Sequence, residues 1–264
     1  MDVRELVTRH YGAEPGVAAA VLATLAEAGV DLGALRVEDL APVDQLHAGG
    51  APATAHLLDR LDLAPGSRLL DVGCGVGGPS RLAAARGLQV TGVDLTPELL
   101  EAARDLTGRV GLADRVTWAL TPAESLPLDD GSFEAAIMVH VGMNVPDKRS
   151  LLAEVHRVLV PGGVFAAYEQ VRRGEGDLPF PMPWAEDERS SFVESVEEYV
   201  AHLRAVGFEV LEVEDRTAAT LGGPPPGSLS PAAVFGAPFV ERLAHNVEAT
   251  RAGLLGAALV VARA

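Results

Sequence analysis

The sequence predicts an α/β fold, a β-sheet carrying helices on both faces, from three observations. Apolar residues run into Asp71 and give way to Gly73, Gly75, Gly77 and Gly78, the pattern of a buried strand feeding a glycine-rich turn. A second short strand, Val90 to Asp94, also ends in an acid, 23 residues beyond Asp71. The 264-residue chain is 48% hydrophobic and shows no internal repeat, which suits one large domain with small additions.

Within residues 68–79 each residue type has a reason. Leu69, Leu70 and Val72 make the strand. The glycines let the backbone turn sharply and approach a ligand with no Cβ in the way. Pro79 suits the first position of a helix opening near Ser80, where its missing N–H is no loss. In a strand–helix–strand unit, an acid closing the second strand faces the ribose hydroxyls of a nucleoside lying over the first loop; here that acid is Asp94.

Asp71-Val72-Gly73-Cys74-Gly75-Val76-Gly77, taken with Asp94, resembles motifs I and II of the class I S-adenosylmethionine-dependent methyltransferases. Gly73-x-Gly75-x-x-Gly78 also fits a dinucleotide-binding G-x-G-x-x-G turn. An acid two residues before the first glycine favours the methyltransferase, because Asp71 repels a pyrophosphate and welcomes a methionine ammonium group. The length also leaves no second domain for a hydride acceptor. The resemblance implies a Rossmann-like, seven-stranded, mostly parallel sheet with one antiparallel strand and an N-terminal helical lid. It implies S-adenosylmethionine as cofactor and methyl transfer to an O, N or C atom of a small molecule, with sarcosine/dimethylglycine, tocopherol and sugar O-methyltransferases as the nearest kinds. The alternative is a protein that keeps S-adenosylmethionine as a structural group for a non-methylating reaction such as a cyclisation.

The formal charge of −16 argues against nucleic acid or an anionic membrane surface as partner. The single cysteine, Cys74, lies inside the glycine turn and reads as a packing residue, so the expected compartment is the cytoplasm. Met1 to Glu5 opens with no apolar leader, and the apolar run Leu254 to Ala262 is strand-sized.

Residues 1–50 read as helices, a lid or the surface of a homodimer: one ends near Gly12, one runs from Pro15 to Ala28, and a short third from Leu35 to Leu40. The segment Asp44-Gln45-Leu46-His47-Ala48-Gly49-Gly50 resembles a stretch of bacterial small-molecule methyltransferases. That resemblance places Gln45 or His47 near the methionine end of the cofactor. The domain proper then runs over 51–264. Strands follow at 115–120, 135–139, 164–168 and 208–213, with a closing strand over 256–263. Helices fall at 97–107, 147–159 and 190–206. The polar, then proline-rich and aromatic stretch over about 172–190 reads as a flap over a pocket. A helical insertion is expected over about 222–255.

By the resemblance, cofactor contacts come from Gln45, His47, Asp71, Gly73, Gly75, Asp94, Leu95, Ala123, Glu124 and Val139. Pro122 stands where relatives often carry an aspartate, leaving adenine to the Ala123 N–H and Glu124. Topology puts His140, just past the fourth strand, at the transferring methyl, and imidazole chemistry makes it the candidate catalytic base. Met143, Phe180 and Trp184 are candidate acceptor-pocket residues; Arg172 or Arg173 is a candidate for an acidic acceptor. His10, His156, His202 and His245 read as surface or packing residues. No metal-ligand spacing occurs, so no metal is expected.

Overall fold

Leu69, Leu70 and Val72 are wholly buried, as expected of a central parallel strand covered on both faces. They form β1 (Arg68–Val72), the centre of the computed structural model, which describes residues 2–12, 16–45, 47–221 and 236–264. The other strands are β2 (Gln89–Asp94), β3 (Val116–Leu120), β4 (Phe133–Val139), β5 (Leu159–Arg172), β6 (Glu209–Asp215) and β7 (Leu255–Arg263). The sheet order is β3-β2-β1-β4-β5-β7-β6. Neighbours from β3 to β5 are parallel, while β7 runs antiparallel to both β5 and β6. This is the expected seven-stranded, mostly parallel sheet with one antiparallel strand.

The helices are α1 (Val3–Tyr11), α2 (Val17–Glu27), α3 (Val37–Asp44), α4 (Gly50–Asp59), α5 (Gly78–Ala85), α6 (Pro97–Arg109), α7 (Lys148–Val158), α8 (Val196–Ala205), α9 (Thr217–Leu221) and α10 (Pro238–Arg251). Leu151, Leu152, Val155 and Val158 of α7 pack with Leu70, Met138 and Phe165 on one face of the sheet. Leu57 of α4 and Ala83 of α5 pack with Leu69, Ile137 and Ala166 on the other. Ile137 and Phe165 are wholly buried; each such side chain contributes about 1.5–3 kcal/mol by leaving water. The N-terminal helices share a core with the domain: Val21, Leu25 and Leu40 pack on Val76, Leu99 and Leu106.

Several boundaries differ from expectation for local reasons. The helix expected over 190–206 begins only at Val196, because Ser195 caps it with a Ser195–Glu198 capping box. The stretch before it is held by Phe192 N–H donating to Met143 O at 2.7 Å. β5 starts at Leu159, ahead of the expected turn, since Leu159 already pairs with Phe133. The third helix runs on to Asp44. The start of the second expected helix (Pro15), Leu46, and residues 222–235 of the expected insertion lie outside the described residues; α10 is the helix observed in the rest of that insertion. Among the described residues no helix is long and apolar enough to cross a membrane.

Candidate active site

A cavity of about 780 Å³ opens beyond the carboxyl ends of β1, β2 and β4. Its floor is the glycine turn. Gly73 and Cys74 N–H both donate to Val93 O, at 2.8 and 3.0 Å, which stitches the turn to β2. Gly73, Gly75 and Gly77 take φ of +68°, +53° and +84°, where a side chain is strained. They serve different ends. A Cβ on Gly73 would stand 2.4 Å from Val141, whereas one on Gly75 would meet nothing within 4 Å and would fill the cavity. Gly77 is instead pressed against Trp118 and Arg81.

Asp94 caps this floor. Its Oδ2 accepts from Gly75 N–H and its Oδ1 from Thr96 N–H, both at 2.8 Å. Burial raises its pKa, and the two backbone bonds oppose the rise. Asp71 accepts from Ser80 Oγ at 2.5 Å. Burial, with a smaller contribution from the nearby Asp94 charge, pushes Asp71 up to about 7.

The segment after α3 folds onto this floor. A Cβ on Gly78 would lie 2.4 Å from Asp44 O and 2.8 Å from Gln45 Nε2, so the arch sits directly on the start of α5. Thr54 Oγ1 donates to Gln45 Oε1 at 2.6 Å, and His47 Nε2 lies 2.9 Å from the same hydroxyl. Burial lowers His47 to about 4. Asp44 Oδ2 accepts from Arg81 Nη2 at 2.8 Å and Nε at 3.2 Å, and both side chains are essentially inaccessible. Arg81 also donates to Thr107 Oγ1 at 3.1 Å. Nothing in the spacing of Asp44 and Arg81 announces this pair.

His140 follows β4 with φ +55°, its N–H donating to Tyr168 O at 2.8 Å. Its ring centroid lies 5.1 Å from Tyr168 and 5.7 Å from His47. Its Nε2 is buried and has no hydrogen-bond partner among the described residues. Burial, then His47, drives its pKa well below the ordinary value, so the ring is neutral near pH 7. Glu169, which sequence reasoning missed, braces the next turn: its carboxylate accepts from Val141 and Gly142 N–H at 3.1 Å. Burial pushes Glu169 up to about 7.

Gln45, His47, Asp71, Gly73, Gly75, Asp94, Leu95, Ala123, Glu124, Val139, His140, Met143 and Trp184 all line the one cavity. Glu124 is shared with Arg4 of α1, 3.5 Å away. Phe180 does not line it; it packs, partly buried, against the cluster that holds Met143, Met182, Trp184 and Ala185. Trp184 is 1% exposed, its Nε1–H donating to Ser191 Oγ at 2.9 Å. Arg172 and Arg173 are engaged elsewhere, on Gly176 O and on Asp215 with Thr217. Two histidines expected as surface or packing residues hold the proline-rich stretch: a His10 ring nitrogen lies 2.8 Å from Pro183 O, and His245 Nδ1 lies 2.9 Å from Pro181 O. No group of three or more His, Cys, Asp or Glu among the described residues is placed to hold a metal.

A glycine turn capped by the acid of the next strand, on a seven-stranded sheet with an antiparallel β7, defines the class I methyltransferase fold. The family model described as a methyltransferase domain matches residues 70–167. The chain is 34% identical over 181 residues to methyltransferase GfsG of Streptomyces halstedii, covering 67% of this chain and 65% of that protein. It spans between 51% and 65% of the length of the first curated relatives it matches. Solved structures are similar as well, among them the following two. Geranyl diphosphate C-methyltransferase from Streptomyces coelicolor A3(2) superposes with TM-score 0.73 at 21% identity, over 100% of this chain and 98% of that one. The [4+2]-cyclase SpnF superposes with TM-score 0.64 at 28% identity, over 80% and 79%. The chain belongs to the class I S-adenosylmethionine-dependent methyltransferases.

Proposed function

We propose that this chain transfers a methyl group from S-adenosylmethionine to an O, N or C atom of a small-molecule acceptor. The carrying observation is the single cavity that joins the Gly75–Asp94 floor to His140 and the flap, large enough for donor and acceptor together. The residues fit the donor. Gly75 opens onto space that a Cβ would fill, Asp94 keeps lone pairs for ribose hydroxyls, and Asp71 offers a buried carboxylate to the ammonium group. The bound cofactor supplies an activated methyl with its own leaving group. The protein's part is to hold the two reactants in line and keep water out. In this reading α1 is a lid, giving Val3, Arg4, Val7 and Tyr11 to the cavity wall. The −16 charge and buried Cys74 fit a cytoplasmic enzyme of small molecules.

Titration calorimetry with S-adenosylmethionine, S-adenosylhomocysteine and NADH tests the reading, followed by an acceptor screen for S-adenosylhomocysteine release. Binding of NADH alone overturns it. A second reading, a cyclisation with the cofactor retained, is favoured by the likeness to SpnF. Its signature is tight cofactor binding with turnover of substrate and no S-adenosylhomocysteine formed.

Two predictions follow from the charge states. Asp71, at about 7, is half protonated in the free protein near neutral pH, and an ammonium group binds the carboxylate form. Binding therefore releases a proton below pH 7, and the affinity is about tenfold weaker at pH 6 than at pH 8. Asp71→Asn flattens that dependence; an unchanged pH slope in the variant assigns the proton elsewhere. His140, lowered by burial, stays neutral through pH 6.5, so at saturating cofactor the rate shows no acid limb at the ordinary imidazole value. If His140 takes the acceptor's proton, His140→Gln lowers kcat by about 10²–10⁴ with cofactor affinity retained. Near-normal turnover in that variant removes the base role.

A further inference from the structure

We propose that the acceptor end of the cavity is built for a neutral, hydroxyl-bearing apolar molecule, held by Gln170, Thr220 and Asn246. The inference rests on the methyltransferase reading above for what happens to that molecule, but not for its binding. The three side chains come from three elements, β5, α9 and α10, and all line the cavity. They are 4%, 8% and 7% exposed. Gln170 Oε1, Thr220 Oγ1 and Asn246 Oδ1 are buried with no hydrogen-bond partner among the described residues.

Their place in the sheet assigns them to the acceptor rather than the cofactor. Gly75 and Asp94 follow β1 and β2. Gln170 lies on β5, two strands from β1 in the sheet order, and beyond the Val139–Tyr168 pair that flanks His140. It shares a face of β5 with Tyr168. Gln170 pairs with Ala257 of β7, and Ala257 O accepts from Arg216 N–H at 2.8 Å, just ahead of α9. That bond brings α9, with Thr220, alongside Gln170. α10 packs on both α9 and β7, which brings Asn246 to the same end.

The chemistry follows from the groups. A buried polar atom left unpaired is costly, and three on one wall mark where a ligand's polar groups belong. Two amides and a hydroxyl each donate and accept, in either orientation of the amides, so they match hydroxyl groups. The same two helices also give the cavity apolar side chains: Leu221 from α9, and Leu243 and Val247 from α10. The cations that would mark an anionic ligand are committed elsewhere. Lys148, the chain's one lysine, donates to Val145 O and Phe192 O and pairs with Glu194, and Arg173 faces Asp215. Two arginines line the cavity: Arg4 faces Glu124 at 3.5 Å, and Arg251 is exposed.

The test uses one carbon skeleton with three ends: geraniol, geranic acid and the deoxy hydrocarbon 2,6-dimethyl-2,6-octadiene. Each is titrated into the full chain with and without S-adenosylhomocysteine. Geraniol binds at least tenfold tighter than either partner, and Gln170→Leu or Asn246→Leu erases that preference while S-adenosylhomocysteine affinity holds. Equal or tighter binding of the carboxylate, equal binding of the hydrocarbon, or no binding by any of the three overturns the proposal. A second readout needs no ligand. Side chains reserved for a ligand stabilise the free protein when made apolar, so Thr220→Val and Asn246→Leu raise its Tm by a few degrees. A fall in Tm means the groups are already paired within the fold, and the proposal fails. Loss of S-adenosylhomocysteine binding by the unmodified chain sinks the methyltransferase reading instead, and leaves the alcohol preference to be read from the cofactor-free titrations.

Discussion

Asp94→Ala weakens S-adenosylmethionine and S-adenosylhomocysteine binding by about a hundredfold or more. Two losses combine. In the proposed reading the carboxylate that faces the ribose hydroxyls is gone, and hydrogen bonds to a charged partner are each worth about 1.5–3 kcal/mol. The Gly75 and Thr96 N–H groups also lose the acceptor that holds each at 2.8 Å, so the floor of the site is no longer set before the ligand arrives. Together these exceed the ~2.8 kcal/mol that a hundredfold change requires. Asp94→Asn discriminates between them. Its amide oxygen can still accept one backbone N–H, but its NH₂ must face the other, so an intermediate loss of roughly tenfold is expected. Calorimetry of both variants decides. Affinity within threefold of the original in Asp94→Ala removes Asp94 from the ribose and returns it to a purely structural cap.

The parts of the site that proved legible are those where one residue type has one physical reason. Glycines with positive φ and an acid closing the next strand mark the proposed cofactor floor at any reading distance, because φ of +53° strains any side chain at Gly75 and few residues other than an acid accept two N–H groups. The burial of the proline-rich stretch was legible for a similar reason: Pro179 to Trp184 is too apolar to face water, and Met182 and Trp184 are buried. What holds the flap was not. His10 and His245 reach Pro183 O and Pro181 O across 173 and 64 residues. A histidine on a helical face looks the same in sequence whether it meets solvent or a distant carbonyl. Glu169 was hidden within an apolar strand, where alternation gives no warning that Val141 and Gly142 N–H wait on one side. Gln170, Thr220 and Asn246 were illegible for the same reason, since their meaning lies in three elements meeting at one end of a cavity. Phe180 shows the converse: composition offered it for the acceptor pocket, but only packing decides which aromatic side chains of the stretch reach the cavity, and Phe180 is not among them.

Breaking the buried Asp44–Arg81 pair is expected to destabilise the fold strongly. Arg81 sits wholly buried, with its guanidinium satisfied by Asp44, Thr107 and, at 3.4 Å, Ala103 O. Removing one member of such a pair leaves an uncompensated charge in the interior, which costs about 3–5 kcal/mol. For a chain of this size that lowers Tm by on the order of 10 °C. Arg81→Met and Asp44→Leu are each expected to fall by that amount. The double variant is expected to recover most of the loss, because neither charge then remains to be solvated and the methionine and leucine fill similar volume. A double-mutant cycle on thermal unfolding reads the coupling. Simple additivity of the two losses would show that the charges are paired with something else. The recovered double variant carries a second expectation. Asp44 O and Gln45 Nε2 lie against Gly78, so the salt bridge fixes the arch over the proposed cofactor floor. Stability returns in the double variant through apolar packing, but the directional bonds from Nε and Nη2 do not. Cofactor affinity therefore stays several-fold below that of the original chain after Tm is restored. Full recovery of both would make the pair a stability device alone, with the arch placed by the Gln45–Thr54 bond.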